Sequence, residues 1–418
     1  MKNTGEISIN KPLFYPWLVV ALLCVVGCLN YLDRMMITTM RGSILEAIPM
    51  SDTQFGLLTS VFLWVYGLLS PLAGFLADRF SRSKVIIGSL FVWSLVTWLT
   101  SRATSFEELL LTRALMGVSE ACYIPAALAL IMDYHRDKTR SLATGIHMGG
   151  IMVGQSLGFI GGWLAENHSW TFAFTIFGVI GIGYSLLLAF TLKDVDKTVD
   201  HATGSSRSRI GFGDAVRNLF GGKDYILAII YWGLISIVGW MVVGWLPTYY
   251  QEHFDLSQSM AGVYATGYFH TASLAGVLLG GFLADRWSRR NPRGRMLVPL
   301  YGLLVAAPAI YLASGTSILS VAIVCFMLYA LTRTFTDANM MPILCLITDG
   351  RYRATAYGIL NLFSCIVGGL GIYAGGVLRD ANVNLNKMFE VAAAILLACV
   401  AVMYFIRPDP KKASSELN

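Results

Sequence analysis

The nine residues Gly74–Arg82, GFLADRFSR, return with one change as GFLADRWSR at Gly281–Arg289. The offset is 207 residues, close to half of a 418-residue chain. Each copy ends a long apolar run and opens a short basic loop. A basic loop repeated once per half, inside an apolar chain, predicts a duplicated membrane bundle. Its substrate path is expected between two related halves.

The charge content supports this. Only 13% of residues are charged and 56% are apolar, whereas a soluble chain carries about 25% charged residues. That is too little charge to coat a soluble protein of this size, so lipid must be the solvent for much of the surface. A span needs about 20 mostly apolar residues. Twelve are predicted, at 17–39, 53–77, 84–102, 107–133, 141–165, 169–191, 225–250, 258–284, 295–313, 317–347, 353–378 and 386–406. The fold class expected is an all-α membrane protein of two pseudo-symmetric six-helix bundles. The N-terminal bundle would occupy residues 1–192 and the C-terminal bundle 224–418. The polar stretch 193–223, with GSSRSR at Gly204–Arg209, reads as a cytoplasmic linker. The first apolar run leads straight into Asp33 and Arg34, so it is expected to be a retained helix and not a signal peptide.

Lysine and arginine set the expected orientation. With both termini inside, cytoplasmic segments hold 24 of the 31 and outer loops four. The expected location is the inner membrane of a bacterium, with both termini cytoplasmic and the protein monomeric in the lipid. The net charge of +6 suits a face near anionic lipid, and no nucleic-acid partner is expected. The seven cysteines all lie within apolar runs, and none forms a CxxC. No metal or other cofactor is expected. No Walker loop, HExxH or GxSxG occurs, so neither an enzyme nor a primary pump is expected.

The paired loops resemble those between helices 2 and 3 and between helices 8 and 9 of the major facilitator superfamily, with the pattern G-x-x-x-D-R/K-x-G-R-R/K. Gly74, Asp78, Arg79, Arg82 and Lys84 match the first copy. Gly281, Asp285, Arg286, Arg289 and Arg290 match the second, and Ser81 and Ser288 replace the usual Gly. Arg113-x-x-x-Gly117 is similar to a second signature of that superfamily. Within it, Asn30–Arg34, Glu120–Ala126, Ala143–Ile146 and Trp245–Pro247 resemble the anion:cation symporters, whose members carry sugar acids and sialic acid. The NYLDR and GVSEA segments also resemble, more distantly, the spinster-like lipid carriers. The symporter resemblance implies that Asp33, Arg34, Arg113 and Glu120 serve proton coupling and anion binding. The superfamily's loops hold the cytoplasmic side shut, so Asp78, Arg79, Arg82, Asp285, Arg286 and Arg289 are expected to gate.

Charges at membrane depth cost at least about 2.5–3.5 kcal/mol each, so each requires an account. Arg113 and Glu120 are two turns apart on one face, about 10 Å along the axis. Asp33 and Arg34 project about 100° apart and must find partners elsewhere, with helix 4 the obvious supplier. The expectation is that Asp33 and Glu120 take and release protons, while Arg34 and Arg113 alternate between carboxylates and an anionic substrate. The guanidinium fork suits a carboxylate and keeps its charge. A static buried ion network is the alternative. Arg333 and Asp337, four apart, are expected to form a local pair. Asn30, Tyr31, Tyr123, Gln155 and Asn361 are further candidates for substrate contact, because they sit mid-span on helices that the family uses for its pocket. The expected function is proton-coupled symport of a small organic anion, such as a hexuronate, an aldonate or sialic acid, by alternating access. The alternative is spinster-like movement of a lysolipid or other amphiphile.

Overall fold

The structure, a computed structural model, describes residues 14–135, 139–195, 212–291, 293–349 and 352–407. Among them are twelve helical stretches long and apolar enough to cross a membrane, at Phe14–Thr39, Asp52–Ala73, Arg82–Thr100, Phe106–Tyr134, Arg140–Asn167, Trp170–Thr191, Lys223–Phe254, Gln258–Ser288, Gly294–Gly315, Leu319–Ile347, Thr355–Asp380 and Leu385–Phe405. They are called spans 1 to 12 below. The number and placement match the sequence expectation. An even number of spans puts both chain ends on one face, here the terminal face; the other is the far face. The stretch read as a linker holds a nine-residue helix, Phe212–Phe220, and its residues 196–211 lie outside the described set.

Serines begin many of the spans. The hydroxyls of Ser51, Ser81, Ser105, Ser169 and Ser257 each accept a backbone N–H from the first turn that follows. At Ser51 the Gln54 side chain returns the bond and completes a capping box. Such caps satisfy donors that lipid could not.

Spans 4, 5 and 10 are each two helices, and span 8 carries a π-helical turn at Val263–Tyr268. In span 4 the break falls right after Glu120, where Pro125 has no N–H to give the Ala121 carbonyl. The carbonyl freed at Ser119 accepts the Ser89 hydroxyl at 2.6 Å. In span 10 the break falls right after Arg333. There the Thr334 hydroxyl donates to the Ser273 carbonyl of span 8 at 3.1 Å.

Spans 1 and 5 cross at backbone contact. A Cβ on Gly154 would stand 2.2 Å from the Cys28 carbonyl oxygen, so only glycine fits. The glycines of span 5 are not equal in this, because Gly145 and Gly149 face open space.

The halves meet along spans 2 and 11 and along spans 5 and 8, most tightly at the far face. A Cβ on Gly376 would meet the Asp52 carbonyl at 2.3 Å. Arg41 pairs with Asp52, and Arg379 bridges Asp52 (2.9 Å) and Glu252, the latter bidentately at 2.7 and 2.9 Å. Asp380 accepts the N–H groups of Asp52 and Thr53 at 3.0 Å each. The Ser259 N–H donates to Glu166 at 2.7 Å. Each of the last two pairs sets a carboxylate of one half on a helix N-terminus of the other, where it is stabilised. The molecule is therefore closed at its far face.

Candidate functional site

Between the halves lies a cavity of about 250 Å³. Spans 1 and 5 give it Tyr31, Met35, Met152 and Gln155. Spans 7, 8 and 10 give it Gly239, Trp240, Phe269, His270, Tyr329, Arg333 and Asp337, among others. The breaks in spans 5 and 10 and the π turn in span 8 all lie beside this wall. Irregular helix at membrane depth is tolerable where it lines a cavity, and π turns recur at functional sites.

Arg333 and Asp337 form the local pair expected from their spacing, at 2.6 Å. The sequence reading stopped at that pair. The structure adds that both side chains line the cavity. Gly239 makes room for the guanidinium, since a Cβ there would stand 2.9 Å from Arg333 Nη2. Arg333 Nε, His270 Nε2 and the Tyr329 hydroxyl are buried without hydrogen-bond partners. The cavity thus carries one cation, one acid and several free polar groups on an otherwise apolar wall.

The second charged cluster lies in the N-terminal half. Arg34 Nε donates to Glu120 Oε2 at 2.7 Å, with the two side chains 3% and 0% exposed. Helix 4 is indeed the supplier of a partner for Arg34. Three rings cage the guanidinium, with centroids at 4.5 Å (Tyr31), 4.8 Å (Phe62) and 4.5 Å (Tyr66). Desolvated cation–π contacts of this kind contribute about 2 kcal/mol. Asp33 finds its partner on span 3, where the Thr97 hydroxyl donates to it at 3.2 Å. Arg113 has no carboxylate within ion-pair distance among the described residues. It leans on Phe62 at 5.0 Å and reaches the Met116 sulfur at 3.4 Å. Asn30 is fully buried one turn before Arg34, with neither amide atom hydrogen-bonded.

This cluster does not border the 250 Å³ cavity. Arg34 and Arg113 border a separate space of about 20 Å³, closed on its other side by Trp240, Val243 and Ile372. That is room for about one water. Met35, Trp240 and Val243 belong to both walls, so this layer divides the two.

The other candidates divide as follows. Tyr31 and Gln155 line the cavity. Tyr123 does not: its hydroxyl donates to the Leu23 carbonyl at 2.7 Å and its ring packs against Trp93 and His147. Burial of a large amphipathic ring with its hydroxyl satisfied accounts for it without substrate. Asn361 is half-buried on span 11 and outside the cavity wall.

Arg82 and Asp285, in the loops assigned to gating, are each tied within their own half. Arg82 pairs with Asp133, and Asp285 lies 3.4 Å from Arg295. Arg286 and Arg289 border a pocket on the terminal face, and Arg79 is exposed there with a partner of its own. The side chain of Asp78 lies outside the described set. Ion pairs that do join the halves lie at the far face, where Arg41 reaches Glu252 and Arg379 reaches Asp52, and the sequence reading did not single them out. Their signal was present in Asp52, Glu252, Arg379 and Asp380, charges placed at span ends on the side poor in basic residues.

A twelve-span bundle with a charged cavity between its halves defines a membrane transporter. The chain belongs to the Major Facilitator Superfamily, whose pattern matches residues 23–372. It is 27% identical to protein spinster homolog 1 of Xenopus tropicalis, over 94% of this chain and 82% of that protein. It is 26% identical to a probable sulfoacetate transporter of Cupriavidus necator, over 94% of each. It is also 26% identical to an MFS-type efflux pump of Mycolicibacterium smegmatis, over 92% of this chain and 90% of that one. Among solved structures it resembles a bacterial homolog of the human lysosomal transporter spinster in an inward-facing, occupied conformation. The TM-score is 0.77 at 24% identity, covering 95% of this chain and 98% of that one. Spinster proteins, ranked the more distant likeness from the sequence, are thus well represented among the relatives.

Proposed function

We propose that this chain is a proton-coupled symporter of a small organic anion, with Arg333 holding the anion and the Arg34–Glu120–Asp33–Arg113 cluster carrying the proton. The observation that carries this is the division of labour between the two charged groups. Arg333 borders a space that a solute can occupy. Arg34 and Arg113 border a space for one water. A carboxylate or sulfonate entering the cavity can take the place of Asp337 on the Arg333 fork, with its body against Trp240, Phe269 and Tyr329. The expectation that Arg34 is the anion's ligand is accordingly moved to Arg333.

The sealed cluster suits a proton. It holds two acids and two arginines, so it is neutral as a set when all four are ionised. A proton on Glu120 would free Arg34 from its carboxylate, and a proton on Asp33 would leave Arg113 the only unmatched charge. Both changes alter what spans 1, 3 and 4 hold in common, which is how protonation can bias the two conformations. With both termini cytoplasmic, closure at the far face is the inward-facing state.

The likeness to a probable sulfoacetate transporter and to anion:cation symporters supports a small anion. The second reading, an amphiphile, is favoured by the aromatic wall of Tyr31, Trp240, Phe269 and Tyr329. Size opposes it: about 250 Å³ is below the roughly 300–1,000 Å³ of sites for drug-sized ligands.

Proteoliposomes under an imposed pH gradient test the proposal, with uptake measured for a panel of sugar acids, short sulfonates and lysophospholipids. The expected result is uphill accumulation of a small carboxylate or sulfonate. Asp33→Asn and Glu120→Gln should lose uphill accumulation and keep exchange across the membrane. Full pH-driven accumulation by both variants would overturn the coupling role. Movement of lysophospholipid with none of small anions would favour the second reading.

A further inference from the structure

The two copies of the repeated nonapeptide end differently. In the first, Arg82 pairs with Asp133 and donates to the Ala129 carbonyl at 2.9 Å. Asp194 takes the Ser83 N–H at 2.8 Å and the Ser81 hydroxyl. Both acids come from outside the repeat and neutralise that loop. The second copy lacks such acids. Of the five arginines between 286 and 295, Arg293 is spent on the carbonyls of Tyr404 (2.9 Å) and Ile406 (3.3 Å), and Arg295 on Asp285. Arg286, Arg289 and Arg290 are exposed, and among the described residues none of them has an acidic partner.

These three arginines rim a pocket of about 580 Å³ among spans 8, 9 and 10. Its floor is Leu283, Val298 and Phe335. Trp287 and Tyr301 stack at its edge, centroids 5.6 Å apart and planes 15° apart. No side chain of span 9 lines the cavity between the halves. Leu304 and Val305, one turn further along span 9, are exposed, so the pocket opens on the outer, lipid-facing side. Arginines at the end of span 8, an aromatic pair at the interface and an apolar floor continuous with the lipid-facing surface match the three parts of a phospholipid.

We infer that this pocket binds an anionic glycerophospholipid of the terminal-face leaflet. The phosphate groups lie on Arg286, Arg289 and Arg290, where guanidinium forks suit phosphate oxygens. The glycerol region rests on the Trp287–Tyr301 stack, and an acyl chain runs over Leu283, Val298 and Phe335. The arginine-bearing loop of the second half is thereby neutralised by lipid, as the first is by Asp133 and Asp194. A soluble phosphate would leave the apolar floor uncovered, and a zwitterionic lipid would leave three positive charges unmatched.

Native mass spectrometry of the full chain tests this, with phosphatidylglycerol and phosphatidylcholine of identical chains titrated in detergent. The parent should retain phosphatidylglycerol preferentially, by roughly fivefold for each arginine engaged. The triple variant Arg286→Gln/Arg289→Gln/Arg290→Gln should lose the preference. The corresponding triple Lys variant should keep most of it, and Arg82→Gln should keep all of it. Soluble glycerol phosphate should not displace the bound lipid. A preference unchanged in the Gln triple, lost equally in the Lys triple, or abolished by glycerol phosphate would overturn the assignment.

Discussion

In the N-terminal half, Arg34 and Glu120 meet at 2.7 Å with side chains 3% and 0% exposed. In the C-terminal half, Arg333 and Asp337 meet at 2.6 Å with side chains 20% and 41% exposed. Both are arginine–carboxylate pairs at membrane depth, and spans 4 and 10, the corresponding helices of the two halves, each break right beside one member. What differs is the surroundings. The first pair joins two spans and is closed in by Tyr31, Phe62 and Tyr66; the second lies within one span and borders a cavity. A pair that joins two helices in a dry site acts on how those helices sit together. A pair that shares a span and faces open volume is free to exchange one partner for a solute. Duplication of a fold therefore need not duplicate a role.

The largest expected effect separates the pairs by stability. Removing one partner of a buried ion pair costs about 3–5 kcal/mol, because the other charge stays buried and uncompensated. For a pair open to water the figure is at most about 1 kcal/mol. Glu120→Ala should therefore lower the thermal unfolding midpoint of the detergent-solubilised protein sharply, and Asp337→Asn only slightly. Equal losses for the two would erase the distinction between a sealed and an open pair.

How legible this was follows from the kinds of force involved. The twelve spans and the two halves could be read directly, since apolar length and a repeated loop are properties of the chain itself. Arg34, Glu120 and Asp33 could be found because a charge inside an apolar run is conspicuous. The Arg333–Asp337 spacing gave the pair but not its setting. Whether an i, i+4 pair faces lipid, protein or a cavity depends on spans 1, 5, 7 and 8, which are distant in sequence. Tyr123 was misplaced for the same reason: its position mid-span suits a pocket, but the Leu23 carbonyl and the Trp93 and His147 rings claim it. The far-face pairs, such as Arg379 with Asp52 across 327 residues, depend on how the halves dock, which no local pattern records.

Substrate affinity gives the next largest separation. Arg333→Lys keeps the charge and loses the fork, so binding of the transported anion should weaken more than tenfold, about 1.4 kcal/mol. Arg34→Lys should weaken it less than Arg333→Lys does, because Arg34 borders only the 20 Å³ space. Isothermal titration with the anion identified by uptake measures both. A larger loss in Arg34→Lys would return the anion's charge to the N-terminal cluster.

The smallest effect concerns the wall itself. Trp240 borders both the 250 Å³ cavity and the 20 Å³ space beside Arg34 and Arg113. Its removal should join the two without touching any charge. An aromatic contact of this kind is worth about 0.5–1.5 kcal/mol, so Trp240→Ala should weaken anion binding by roughly tenfold at most. The more telling readout is reactivity with phenylglyoxal, a reagent for arginine, mapped by peptide mass spectrometry. In the parent, Arg333 should react well ahead of Arg34 and Arg113, which have no route to the cavity. In Trp240→Ala the reagent should reach Arg34 and Arg113 from the cavity side, and their lag behind Arg333 should shrink. If Arg34 already reacts as fast as Arg333 in the parent, the N-terminal cluster is not sealed, and the contrast between the halves fails at its base.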